Sequence, residues 1–267
     1  MNKDDRDQAV EATSVTKVFN QGKPNEVLAL DDVSVAVAQR EFLSLIGPSG
    51  CGKSTMLRLM AALTHPSGGT VLVNGKPADQ ARRDRDYGMA FQTAGLFDWR
   101  TVSQNVELPL QLMGWSKSDR RRRATEMLDL VRLEGFGGHY PRELSGGMQQ
   151  RVAIARALSF SPSILFMDEP FGALDEITRE HMQTELLRIW DETDTTVVFV
   201  THSIPEAVFL SERVLVMSPR PGRIAAVIPV DLGERNFDTR ESTEFFERVT
   251  AVRKALRQPD DGTGQLL

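Results

Sequence analysis

The sequence has a single cysteine, no long apolar run and no excess of positive charge. Because Cys51 stands alone, no disulfide can form within the chain. No run of about 18 apolar residues occurs, so we expect no membrane-spanning helix. The charged N-terminus, MNKDDRDQ, lacks the apolar core of a signal peptide. The net charge of −5 argues against a nonspecific nucleic-acid binder, and we expect no nucleic-acid partner.

The remaining composition is that of an ordinary globular protein. Of the 267 residues, 40% are apolar and 26% are charged, and a chain of this length buries a core without disulfides. We expect a polar tail at residues 1–12, a main domain at residues 13–240, and a last helix with a loose tail at residues 241–267. Apolar runs that alternate with helices predict a parallel sheet, and a helical lobe is expected at about residues 95–160.

The first Gly-rich segment, GPSGCGKST at Gly47–Thr55, matches the phosphate-loop pattern G-x-x-x-x-G-K-[ST]. It follows an apolar strand, FLSLI, and opens a helix, which is the context that the pattern needs. We expect Lys53 to neutralise β- and γ-phosphate oxygens and the Ser54 hydroxyl to ligate Mg²⁺. Cys51 within this loop is either a small filler or a redox-active thiol.

Polar side chains follow several apolar runs. The run ILFMDEP ends in two carboxylates, and adjacent ionised acids repel unless a cation or hydrogen bonds offset them. We expect Asp168 to hold Mg²⁺ through water and Glu169 to act as a general base; the alternative is a helix-capping pair. Gln92 and His202 each follow an apolar run. A neutral imidazole at His202 can donate to a γ-phosphate and sense its loss, although a lone histidine is more often structural.

A second Gly-rich segment, LSGGMQQR at Leu144–Arg151, leads into a helix predicted at Met148–Leu158. Ser145, Gly146 and Gly147 supply a hydroxyl and a close backbone approach at the start of this helix. Helix N-termini bind anions because their first N–H groups lack partners and the helix dipole is positive there. One nucleotide needs only one phosphate-binding loop of this kind, so the second raises the question of whose phosphate it holds.

These segments, in this order, resemble the nucleotide-binding subunit of an ABC transporter. GPSGCGKST resembles the Walker A motif, Gln92 the Q-loop and LSGGMQQR the signature motif. ILFMDEP resembles the Walker B motif, residues 173–175 the D-loop and His202 the switch histidine. The resemblance covers about residues 13–225. It implies an α/β phosphate-loop NTPase core with a mostly parallel sheet, a small antiparallel β part and an inserted helical lobe.

The resemblance also implies a set of site residues, with ATP and Mg²⁺ as cofactors. Implied contacts to ATP are Phe19, Gly47, Pro48, Ser49, Gly50, Cys51, Gly52, Lys53, Ser54, Thr55, Ser145, Gly146, Gly147 and Asp175. Implied catalytic residues are Glu169, His202, Lys53 and Gln92, and implied Mg²⁺ ligands are Ser54, Gln92 and Asp168.

In this family two cassettes form a head-to-tail dimer, which for this chain implies a homodimer. Each ATP would lie between one chain's Walker A motif and the other's signature loop, so Ser145 and Gly147 would hold the γ-phosphate of the partner's nucleotide. Phe19 falls where the family places an aromatic ring on adenine; the alternative is a buried phenylalanine at a strand end. Two positions depart from the commonest pattern: Met148 replaces Gln, and Phe19 replaces Tyr without loss of the stacking ring.

Within the family, PFGALDEITRE and the segment after His202 look most like importer ATPases of the nitrate, sulfonate and taurine group. ATPases of importers for thiamine-precursor pyrimidines or riboflavin resemble this chain in the same segments. The resemblance implies a cytoplasmic ATPase, peripheral on the inner face of a bacterial membrane, that works with multi-span permeases and, indirectly, a solute-binding protein. Phe97 and Trp99 fall where the family contacts the membrane subunit, unless they belong to the core.

Two other classes are alternatives. A soluble ABC protein of DNA repair or translation usually has a coiled-coil insertion or two cassettes, and neither feature occurs in this sequence. The other alternative is an unrelated phosphate-loop kinase or GTPase, against which LSGGMQQR and the acidic pair both argue.

Overall fold

The computed structural model describes residues 7–257, which form two compact units. One unit consists of residues 7–86 and 196–257, and the other of residues 87–195. Residues 1–6 of the predicted polar tail and the predicted loose tail at 258–267 lie outside the described residues. Among the described residues, no helix has the length and apolar character needed to span a bilayer.

Strands and helices alternate along most of the chain. The strands are β1 (Gln8–Phe19), β2 (Val27–Ala38), β3 (Phe42–Ile46), β4 (Gly68–Val73), β5 (Lys76–Pro77), β6 (Tyr87–Phe91), β7 (Ile164–Asp168), β8 (Thr196–Val200), β9 (Arg213–Met217) and β10 (Ile224–Pro229). The helices are α1 (Lys53–Met60), α2 (Ala78–Asp84), α3 (Val102–Leu112), α4 (Lys117–Leu130), α5 (Gly146–Leu158), α6 (Glu176–Thr193), α7 (Ile204–Leu210) and α8 (Thr243–Arg257).

An antiparallel sheet with the order β2-β1-β4-β5 belongs to the first unit. Residues 33–37 of β2 alternate between buried and exposed, as in a strand with one face on the core. The polar tail predicted for residues 1–12 is wrong for residues 8–12, which form the start of β1. The reason is pairing, because Val10 lies opposite both Val37 and Val73 and is thereby buried.

Parallel pairing forms the centre of the first unit. Strand β3 pairs in parallel with β8 and with β9, and β10 closes this group antiparallel to β9. Every residue of β3 and β8 is buried, which explains why both appear in the sequence as unbroken apolar runs. Leu45 of β3 lies opposite Val200 of β8, so the segments that follow these two strands leave the same edge of the sheet.

The second unit combines two parallel strands with helices. Strand β6 pairs with β7 so that Phe91 lies opposite Asp168. Helices α3, α4 and α5 occupy much of the region predicted as a helical lobe, and the unit extends beyond that lobe because β6, β7 and α6 also belong to it. The predicted fold class is confirmed, with a parallel core, a small antiparallel sheet and inserted helices.

One helix begins earlier than its sequence predicts. Helix α5 begins at Gly146 rather than Met148, because the Ser145 hydroxyl accepts a hydrogen bond from the Met148 N–H and caps the helix. The two glycines therefore form the first turn of the helix rather than a loop before it.

Strand β6 approaches α5 too closely for a side chain at Gly88, where an added Cβ would lie 2.3 Å from the Ala157 carbonyl oxygen. We expect Gly88→Ala to lower the free energy of unfolding by about 1–3 kcal/mol through overpacking. Urea denaturation would measure this. Gly138→Ala is the matched control, because an added Cβ there has no neighbour within 4 Å. An equal loss in both variants would show that the close approach of β6 to α5 is not the cause.

Candidate active site

The phosphate loop between β3 and α1 is fixed by close backbone packing. A Cβ at Gly47 would lie 2.7 Å from Cys51 Sγ and 2.9 Å from the Met217 carbonyl oxygen. Gly52 has a φ of 110°, a backbone conformation that residues with a side chain rarely adopt. A Cβ at Gly52 would also lie 2.6 Å from Leu30 Cδ2. The loop therefore requires glycine at both positions, and β2 and β9 hold its shape.

Lys53 is the first residue of α1, and its side chain is only 6% exposed. Its Nζ donates to the Gly47 carbonyl at 2.8 Å and to the Pro48 carbonyl at 3.1 Å, so the ammonium group lies within the curve of the loop. Pro48, Ser49 and Gly50 form the exposed tip of the loop. No side chain caps α1, and the positive end of its dipole and the Lys53 charge together favour an anion at this loop.

Cys51 belongs to the phosphate loop and is only 1% exposed, so its side chain is on the buried side of the loop. A Cβ at Gly222 would lie 2.0 Å from the Cys51 carbonyl oxygen, so the backbone is tightly packed on this side as well. Burial raises the pKa of the Cys51 thiol, and the opposing effect of the Lys53 charge is smaller. The group is therefore a protonated thiol at neutral pH, which favours the filler interpretation over redox chemistry.

Phe19 and His202 belong to the same unit as the phosphate loop. Phe19 ends β1 and is 39% exposed, with Lys17 Nζ 5.1 Å from its ring centroid. The alternative of a buried strand-end ring is therefore wrong. His202 follows β8 and is exposed. Two hydrogen bonds fix the backbone beside His202. The Ser203 N–H donates to the Thr201 hydroxyl, and the Ser203 side chain caps α7.

The two predicted acids lie at the end of β7, in the second unit. Asp168 is the last residue of the strand and is 9% exposed. Glu169 follows with a φ of 48°, a left-handed conformation that is uncommon outside glycine and is often found at functional sites. Gln92 follows β6, whose register with β7 brings it to the same edge. Its Nε2 lies 2.9 Å from where a Gly172 Cβ would be, so glycine there makes room for the amide.

The signature segment lies against the D-loop. A Cβ at Gly147 would lie 2.7 Å from Thr178 Cγ2, and one at Gly146 would lie 3.6 Å from Leu174 Cδ2. Asp175 caps α6 by accepting from the Thr178 N–H at 3.0 Å. Hydrogen bonds from the Thr178 backbone and side chain hold the pKa of the Asp175 carboxyl below its usual value. The starts of α5 and α6 therefore lie side by side.

Two residues that the sequence reasoning missed hold the segment around Gln92. Gln150 Nε2 donates to the Phe91 carbonyl, and Arg156 donates to the Ala94 and Gly95 carbonyls. A signal for Gln150 was available, because a polar residue at a buried position of a helix predicts a hydrogen-bond partner.

Comparison with known proteins adds to this geometry. A family model described as ABC transporter matches residues 30–172. A taurine import ATP-binding protein of Rhizobium johnstonii is 46% identical over 241 residues, covering 88% of this chain and 91% of that protein. A nitrate import ATP-binding protein of a Synechocystis species is 43% identical over 255 residues, covering 93% and 95%. A dimeric ATP-binding cassette solved with ADP and Pi has a TM-score of 0.72 and 36% identity, covering 83% of this chain and 99% of that chain.

These likenesses extend over most of the chain rather than the phosphate loop alone, which argues against an unrelated phosphate-loop kinase or GTPase. The class that the fold and the site define is the ATP-binding cassette. The chain belongs to the ABC transporter family and is an ATPase of that family, as the resemblance predicted.

The buried thiol gives a direct test of the role of Cys51. We expect the native chain to react with a disulfide reagent at neutral pH at least about 100-fold more slowly than the unfolded chain, because the thiol is protonated and inaccessible. Absorbance of the released thiolate would follow the reaction, and Cys51→Ala, which has no thiol, gives the background. Rapid labelling of the native chain would instead favour the redox interpretation.

Proposed function

We propose that this chain is the ATP-hydrolysing subunit of a bacterial importer for a small solute such as nitrate, sulfonate or taurine. Its likeness to taurine and nitrate import ATP-binding proteins along most of its length is the observation that carries the proposal. The chain acts in the cytoplasm, peripheral on the inner face of the membrane, where a pair of cassettes drives two multi-span permeases and, through them, a solute-binding protein.

ATP binds to the first unit through charge, backbone and stacking contacts. Lys53 and the uncapped start of α1 receive the β- and γ-phosphates, and the exposed ring of Phe19 stacks on adenine. Cys51 contributes backbone and packing to the loop rather than chemistry. The remaining contacts of the phosphate loop come from Gly47, Pro48, Ser49, Gly50, Gly52, Ser54 and Thr55.

A magnesium ion fits the donor groups of this chain. Mg²⁺ prefers hard oxygen ligands, takes one or two carboxylates and leaves other positions to water and phosphate. The Ser54 hydroxyl and the Gln92 side-chain oxygen are oxygen donors that would hold the ion, and the Asp168 carboxylate would hold it through water. A nearly buried carboxylate at a strand end, such as Asp168, is a group whose charge a cation stabilises. When bound, the ion neutralises charge on the phosphates.

Hydrolysis depends on residues that follow three strands, β6, β7 and β8. Glu169 accepts a proton from the attacking water as general base, and it has the left-handed backbone conformation that is often found at functional sites. Gln92 leaves the same sheet edge and orients the water. His202 donates from an imidazole N–H to the γ-phosphate and so responds when that group leaves.

The Gly-rich start of α5 binds the nucleotide of a partner cassette. Ser145 and Gly146 are exposed at the start of α5, and Asp175 lies beside them at the start of α6. Ile177 in the first turn of α6 is 72% exposed, an apolar side chain suited to a protein contact. A dimeric cassette among the similar solved structures supports a homodimer. In the head-to-tail arrangement that we propose, Ser145 and Gly147 would hold the γ-phosphate of the partner's nucleotide.

Substitution of the general base tests this dimer. We expect Glu169→Gln to bind ATP and to hydrolyse it at least about 100-fold more slowly, because the amide cannot accept the proton. The variant should accumulate as a dimer with ATP, which size-exclusion chromatography with light scattering would detect. A variant that binds ATP and stays monomeric would contradict the shared site.

Lys53→Ala provides the control for this experiment. We expect it to lose most ATP affinity in calorimetry, since the ammonium is the only charge within the loop, and to keep Glu169→Gln monomeric when the two are combined. Wild-type ATP affinity in Lys53→Ala would contradict the assigned role of Lys53.

An apolar surface after Gln92 is the proposed contact for the permease. Trp99 is 74% exposed, so the alternative of a core tryptophan is wrong, and half-buried Phe97 supports it with ring centroids 4.9 Å apart. Arg100 donates to the Gln111 side chain at 3.0 Å, which brings this segment beside the end of α3, where Leu112 is 73% exposed. Large exposed apolar side chains of this kind mark protein contacts.

Removal of the exposed indole tests this contact. We expect Trp99→Ala to reduce co-purification with the proposed permease by at least about tenfold, because hot spots at interfaces are often tryptophans. Phe246→Ala is the matched control, since Phe246 is 58% exposed on α8 in the other unit. Equal retention of both variants on the permease would contradict the assignment.

Ligand screening of the cognate solute-binding protein would identify the solute and distinguish pyrimidine or riboflavin import.

A further inference from the structure

We propose that Arg156, together with Gln150, is a positioning residue for Gln92: it fixes the segment of residues 92–95 to α5, the helix that begins at the signature motif. The proposal rests on the role of Gln92 in hydrolysis given above. It adds a function for two side chains of α5 that lie well away from the Gly-rich start of that helix.

The hydrogen bonds of α5 bracket Gln92 on both sides. Gln150 is 3% exposed, and its Nε2 donates to the Phe91 carbonyl at 3.0 Å, immediately before Gln92. Arg156 donates from Nη2 to the Ala94 carbonyl and from Nη1 to the Gly95 carbonyl, both at 2.7 Å. The backbone on either side of Gln92 and Thr93 is therefore bound to the same helix.

The Arg156 fork is the stronger of these two anchors. A guanidinium with two short hydrogen bonds has a fixed orientation as well as a fixed position, and bonds from a charged donor are about twice as strong as neutral ones. Burial lowers the pKa of Arg156, and the two carbonyls offset this cost by accepting from both ends of the fork. Gly95 has a φ of 54°, which lets the chain turn both carbonyls toward the guanidinium.

Two further contacts determine where the Gln92 side chain can go. Its amide lies against Gly172, as described above, so a shift of the backbone at Gln92 would move the amide away from this gap. Farther along, the fully buried Asn105 accepts from the Phe97 N–H and donates to the Phe97, Arg100 and Thr101 carbonyls. Residues 91–101 are thus bound to α5 at one end and to α3 at the other.

One helix thereby carries two elements of the site. Ser145 caps α5, and Arg156 lies ten residues after the first helical residue, which corresponds to about 15 Å along a rigid helix. Loss of the Arg156 fork should free residues 92–95 from α5 without altering the phosphate loop, which belongs to the other unit. The expected defect is therefore in turnover rather than in ATP binding.

ATP hydrolysis by the full chain tests the proposal. We expect Arg156→Lys, which keeps the charge but not the two-pronged fork, to lower kcat by about tenfold and to change the KM for ATP by less than about twofold. In a Gln92→Ala background the same substitution should lower kcat by less than about twofold, because the group that Arg156 positions is already absent. Gln150→Leu should show the same dependence on Gln92, and gives a second variant if Arg156→Lys folds poorly in urea denaturation.

Arg123→Lys is the matched control. Arg123 also lies in the second unit and donates to a backbone carbonyl, that of Ser159, and to the Ser161 hydroxyl, each at 2.8 Å, but it does not contact residues 92–95. We expect its kcat to stay within about twofold of the wild type, whatever its stability.

Three results would overturn the proposal. The first is a wild-type kcat in Arg156→Lys and Gln150→Leu. The second is a full tenfold loss from Arg156→Lys in the Gln92→Ala background, which would show that Arg156 acts independently of Gln92. The third is an unchanged kcat in Gln92→Ala alone, which would also remove the proposed role of Gln92 and is distinguished from the other two by that single variant.

Discussion

The register of parallel strand pairs determines which functional residues meet. With Leu45 opposite Val200, the phosphate loop and His202 leave one edge of the sheet in the first unit. With Phe91 opposite Asp168, the second unit brings Gln92 and the two acids to one edge in the same way. A slip of one residue would shift either group by about 3.3 Å, more than a hydrogen bond tolerates. Burial of β3, β7 and β8 on both faces holds the register, so core packing positions the site.

Three helix starts in the site are capped differently, and the difference decides what each can bind. No side chain caps α1 and its first turn has no acidic residue, so neither opposes the positive end of its dipole. At α5, the Ser145 oxygen accepts from Met148, while the hydroxyl hydrogen stays available to donate to an anion. At α6, the Asp175 carboxylate occupies the capping position with its own negative charge, which disfavours an anion there. Two of the three starts therefore suit phosphate, and the third suits a protein contact.

The sequence predicts most of this site because its chemistry lies in contiguous segments, and the apolar runs FLSLI and ILFM coincide with the buried strands β3 and β7. The early start of α5 was missed because glycine has a low helix propensity, which the Ser145 cap overrides. The start of β1 was missed because only pairing with two other strands buries Val10. Arg156 was missed because its acceptors are backbone carbonyls 61 and 62 residues away, which any residue type supplies.

The contacts of α5 also determine how a movement can pass through the second unit. Strand β6 touches α5 at Gly88, where there is no space for a side chain, and the segment after the strand is bound to α5 as far as Gly95. The strand, Gln92 and the start of α5 at Ser145 are therefore connected by packing and short hydrogen bonds, and protein interiors transmit strain rather than absorb it. The exposed Trp99 belongs to the same compact unit, so the proposed permease contact, Gln92 and the signature segment all lie on one packed body.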